Sequence, residues 1–192
     1  MGLTVSRGSQ VAGPLVASLP VLLRRVSSPD PVLHRIAAFG LAAAAGTCLV
    51  VDLDPAAAPL PGPTLAELLR DGVTAAHLRA ARRGVAVISN GGVSESEAAD
   101  LIDGMTAGWP AVVLRVPEGS NSIPVLPLDP PELRPLRAVR AVWQASQPGS
   151  RAPGVVLPPL RRSTVRALCR GVVEPRSRWV RAWASVWEAP WT

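Results

Sequence analysis

No lysine occurs among the 192 residues; the positive charge rests on twenty arginines. A site that grips phosphate through a lysine is therefore excluded. Tyrosine is absent too, phenylalanine occurs once, and asparagine and isoleucine are scarce, while glycine, proline, alanine and arginine abound. The missing residue types share AT-rich codons, so the bias is that of a GC-rich genome. The formal net charge of +6 is then weak evidence for nucleic acid. A basic face can still meet phosphates, acidic proteins or anionic lipid.

Cysteine is nearly absent as well. Cys48 and Cys169 form neither a CxxC pair nor a metal-ligand spacing. That predicts a reduced, cytoplasmic protein with two small buried thiols and no metal. His34 and His77 lack a spaced partner and read as structural. No apolar run reaches the roughly 18–20 residues a membrane span needs, because the longest, 36–51, ends in aspartates. Segment 11–23 carries two prolines, and Arg24-Arg25 follow it on the wrong side for a secretory signal. There is no GxSxG, no internal repeat and no stretch disordered by composition. No catalytic residue is assigned, and an enzyme is not expected.

What is present alternates. An apolar helix running from "SSPDP" to Gly46 leads into "CLVVDLD", a continuous strand ending in Asp52 and Asp54. Thr64 to Glu67 forms a capping box ahead of a helix burying Leu65, Leu68 and Leu69, and another helix is expected from Thr74 to Gly84. Strands at 85–89, 111–116 and 122–127 follow, the last near an edge or end because of its prolines. Ala98, Leu101, Ile102 and Met105 share one face of an intervening helix that opens at Ser94. A helix over 130–146, a strand at 155–160 and a helix capped at Ser163 complete the pattern. The N-terminal reading is a strand at "LTVS" and a helix over 14–25 broken by Pro20. Strands alternating with helices predict an α/β fold with a mostly parallel sheet. Residues 1–150 make the main domain, with 1–32 poorly defined, and 151–192 a strand-helix segment packed on it.

Several stretches, in order, resemble the ParA/MinD family of deviant Walker ATPases: "LAAAAGTCLVVDLDP", "TLAELLRDG", "GVAVISNGG", "WPAVVLRVPEG" and "VLPLDPPELRPLRAVRAV". The resemblance spans about residues 33 to 145 and implies a P-loop-NTPase-like sheet. Matched by motif position, Asp54 falls on the aspartate that helps position attacking water, and Asp52 is its companion. The family's phosphate loop needs glycine amides, a lysine and a magnesium-binding hydroxyl. No GxxxxGK[ST] exists here, and only "SRGSQVAGP" (6–14) or "SSPDP" (27–31) could take its place. The first puts Pro14 where a hydroxyl is wanted; the second sets Asp30 against phosphate. Arg115 replaces the strand-ending switch aspartate and cannot order magnesium. The expectation is a pseudo-ATPase without cofactor, whose Asp52 and Asp54 cap amides or pair with an arginine such as Arg115. It would act as an assembly, positioning or regulatory factor through a protein partner or as a homodimer. An arginine-rich nucleic-acid-binding protein and an atypical nucleotide-binding enzyme stand as alternatives.

The C-terminal "RSRWVRAWASVWEAPW" (176–191) reads as one amphipathic helix holding four of the six tryptophans. Trp179, Trp183 and Trp187, with Arg178 and Arg181, are interaction candidates. Its expected roles are covering the sheet, a partner surface, or a peripheral membrane contact.

Overall fold

The computed structural model describes residues 22–74, 84–128 and 141–191. The expected "LTVS" strand, the 6–14 segment, His77, the body of the 74–84 helix and residues 130–140 of the 130–146 helix lie outside the described residues. Among the described residues seven strands form one sheet in the order β3-β2-β4-β1-β5-β6-β7, every pairing parallel. They are β1 (Leu22–Ser27), β2 (Thr47–Asp52), β3 (Gly84–Ile88), β4 (Ala111–Arg115), β5 (Ile123–Leu128), β6 (Ala141–Ala145) and β7 (Gly154–Leu157). Helices α1 (Pro31–Ala45), α2 (Leu65–Asp71), α3 (Ala99–Gly108), α4 (Arg162–Cys169), α5 (Arg178–Ala182) and α6 (Ala184–Glu188) flank it.

β2 shows why the sheet needs cover on both sides. Cys48 and Val50 enter the core beneath α1, α4, α5 and α6, while Leu49 and Val51 enter the core beneath α2 and α3. Side chains alternate along a strand, so four consecutive apolar residues feed two cores. The Cys48 thiol is pushed up to about 12 by burial, which leaves it inert.

Several sequence expectations change. Residues 22–27 form the central strand, not the end of a helix; Arg24 and Arg25 disguise it. Arg24 reaches the Trp187 carbonyl at 3.2 Å and lies 5.5 Å from its ring, whereas Arg25 pairs with Glu95. Residues 141–145 form a strand buried throughout, so Val142 belongs to β6 rather than a helix face. β5 is interior, not at an edge. Of its prolines, Pro124 falls at the second of only two pairings with β1 and Pro127 near the strand's end, at the third of four pairings with β6. Leu69 is exposed, although the Thr64–Glu67 capping box forms as read. Ser163 does not cap α4, which begins one residue earlier after Arg161.

The C-terminal segment is two short helices, not one continuous helix. Trp179 and Trp183 meet edge-to-face at 5.4 Å and are 3% and 0% exposed. Both belong to the core over α1. Trp187 is half-buried and donates to the Leu41 carbonyl at 2.7 Å, while Arg178 and Arg181 are exposed. Among the described residues no helix is long and apolar enough to cross a membrane.

Candidate functional site

In open parallel sheets, ligands favour the strand carboxyl ends where the chain reverses its direction across the sheet. Here that place flanks β1, since the chain runs from β1 outward to β2 and β3, returns to β4, and crosses to β5. The groups gathered there are polar and mostly satisfied by one another.

Only Ser28, Pro29 and Asp30 separate β1 from α1. Asp30 is the N-cap of α1: one carboxylate oxygen accepts from Val32 N at 2.9 Å and Leu33 N at 2.8 Å. Pro31 at the helix start contributes no N–H. The helix N-terminus, the natural seat for an anion, thus already holds one from its own chain. Beside it, the Ser27 and Ser122 hydroxyls lie 2.7 Å apart.

Asp52 and Arg115 end neighbouring strands in register. The Arg115 guanidinium donates to both Asp52 oxygens, from Nε at 2.8 Å and Nη2 at 2.5 Å, and also to the Ala58 carbonyl at 2.9 Å. Both side chains are 1% exposed. A buried carboxylate and guanidinium are tolerable only because the pairing is bidentate and further hydrogen bonds complete it. The Asp54 amide donates to the same Asp52 carboxylate at 3.2 Å. Asp54 instead turns toward α1: one oxygen accepts from Ala56 N, and the other lies 3.0 Å from His34 Nε2. That approach lacks hydrogen-bond direction, and the buried His34 Nδ1 has no partner among the described residues. Burial, with Arg115 nearby, lowers the imidazole pKa below its ordinary value despite the pull of Asp54 in the other direction. His34 is therefore neutral at neutral pH.

The structure thus brings Asp52, Asp54 and Arg115 to one place, and leaves Arg178 and Arg181 elsewhere on the surface. Sequence reasoning missed Asn90. Its side chain donates to the Asp52 and Val93 carbonyls and accepts from the amides of Gly92 and Val93. The signal was legible: an asparagine before two glycines directly after a strand is an Asx-turn pattern. Gly91 and Gly92 both take positive φ there. Among the described residues no group of three or more potential ligands could hold a metal ion.

No protein-family model matches the chain, and no curated protein matches it. The chain is similar to the crystal structure of cobyrinic acid a,c-diamide synthase from Mycobacterium smegmatis with bound ATP analog and magnesium. The identity is 17%, the coverage 88% of this chain and 94% of that one, and the TM-score 0.45.

Proposed function

We propose that this chain is a ParA/MinD-like pseudo-ATPase that serves as an assembly, positioning or regulatory factor through protein–protein contacts. One observation carries the reading: the place for phosphate and metal is filled by the protein's own charges. Asp30 occupies the first amides of α1, and Arg115 occupies the carboxylate of Asp52. A phosphate arriving at α1 meets a like charge, and a magnesium ion arriving at Asp52 must displace a buried guanidinium. The three-residue β1–α1 connection also supports the reading, being too short for the eight-residue GxxxxGK[ST] cradle.

Calorimetric titration of the purified chain with ATP and magnesium is expected to give no magnesium-dependent binding, and no turnover above background. Magnesium-dependent binding or hydrolysis that disappears in Asp54→Ala overturns the reading.

A further inference from the structure

Away from Asp52 and Arg115, at the carboxyl ends of β6 and β7, the surface opens into a cavity of about 480 Å³. Its wall carries Arg161, Arg176, Arg178 and Arg181, with Glu174 the one acidic residue lining it. Among the described residues none of these four arginines has an ion-pair partner. These four guanidiniums are exposed and outnumber Glu174, so the wall is locally positive and draws anions.

Two further features point to what the anion is. α4 begins at this cavity, and no side chain caps its first turn. Thr164, the third residue of α4, lines the cavity and is 8% exposed, yet its hydroxyl has no hydrogen-bond partner among the described residues. The hydroxyl itself is not sealed from solvent, so it opens on the arginine-lined cavity with its hydrogen bond free for a ligand oxygen. Free helix amides, a hydroxyl and guanidinium forks are the donor set that phosphate oxygens take.

The wall is also held in place. Gln144 at the end of β6 accepts from Trp179 Nε1 at 2.7 Å and donates to the Pro158 carbonyl at 3.0 Å. One buried amide thus ties α5 and the β7–α4 connection to the sheet, so little ordering is needed on binding. An adjoining cavity of about 390 Å³ shares Pro148, Pro158, Pro159 and Arg178 and continues over Val156 and Ala182.

We propose that this cavity binds a small phosphate-bearing molecule. The phosphate sits against the first turn of α4, Thr164 and the surrounding arginines, and an apolar body extends over the prolines. Its concavity favours a small ligand over a duplex, and it is separate from the strand-end site that the proposed function concerns.

Calorimetry with pyrophosphate as probe, without magnesium and at about 0.15 M salt, is expected to show saturable one-site binding. Arg178→Gln/Arg181→Gln should weaken it about tenfold or more, since charge-assisted contacts are the strong ones. Thr164→Val should weaken it as well. Arg166→Gln/Arg170→Gln removes the same charge from α4 and its C-terminal end at positions that do not line the cavity, and should leave the affinity unchanged. Thermal melting of each variant verifies folding, and binding indifferent to Asp54→Ala separates this site from the strand-end one. Absence of saturable binding at millimolar probe overturns the proposal. So does equal weakening by the two double variants. Steeply salt-dependent duplex DNA binding that requires Arg166 and Arg170 would assign the face to nucleic acid and also overturn it.

Discussion

The charged pair of Arg115 and Asp52 is the most consequential interaction at the scale of single residues, because neither partner reaches water. Removing one member strands the other in the core, so Arg115→Leu and Asp52→Leu should each lose about 3–5 kcal/mol. The double variant Asp52→Leu/Arg115→Leu leaves no orphan charge and should lose less than either single change, as urea denaturation would reveal. Asp54→Ala, with a half-buried carboxylate, should cost only about 1–3 kcal/mol. His34 adds a pH dependence whose sign follows from its lowered pKa. Between the ordinary value of 6.5 and the lower folded value, the unfolded chain binds a proton that the folded chain refuses. Stability therefore falls as pH drops through that window, and is unaffected by this group above it. The urea midpoint should decline from pH 8 to pH 5.5, and His34→Leu should flatten that part of the decline. Glu95, lowered by its hydrogen bonds with Arg25, acts in a separate window below about 4.5 and does not confuse the comparison.

Among the elements, α1 does the most to organise the molecule, and Gly40 is the point where it touches the tryptophans. A Cβ at Gly40 would stand 2.6 Å from Trp179 Cζ3 and also collide with Trp183 Nε1. Glycine inside a helix ordinarily costs roughly 0.5–1 kcal/mol relative to alanine, so Gly40→Ala would stabilise an exposed helix. Here it must push two indoles off their packing, at a typical overpacking cost of about 1–3 kcal/mol. Melting temperature should fall, and a rise would mean that α5 and α6 yield freely. The same contrast separates what the sequence disclosed from what it hid. β2, α1 and the Thr64 capping box were legible, because continuous apolar runs and cap residues act locally. β1 was not, since two arginines in a central strand are tolerated only through partners supplied far away, the Trp187 carbonyl and Glu95. β6 was hidden by an apolar spacing that suits a helix and a doubly covered strand equally well. At the site, Asp52, Asp54 and Arg115 could be listed from their strand-end positions. That Arg115 takes both oxygens of Asp52 depends on β2 lying beside β4, a tertiary fact no local pattern encodes.

For the molecule as a whole, the C-terminal segment completes, with α1 and α4, the cover over one face of the sheet. Trp179, Val180, Trp183 and Val186 are buried in the same core as α1 and the inner residues of β1, β2, β4 and β5. The indole donors fasten the segment to distant elements, Trp179 to Gln144 and Trp187 to the Leu41 carbonyl. Truncating one buried tryptophan to alanine costs about 3–5 kcal/mol. Losing two, together with two valines, reaches the roughly 5–15 kcal/mol that a domain of this kind has in total. Deletion of residues 176 to 192 should therefore give an insoluble or unfolded product rather than a folded protein that has merely lost an association. Arg178→Ser/Arg181→Ser, which keeps the tryptophans and changes only exposed side chains, should melt within about 0.5 kcal/mol of the parent. The two results together locate the segment's contribution to stability in its apolar face. A truncated chain that remained soluble and melted cooperatively near the parent temperature would show that α1 and the sheet are sealed without it.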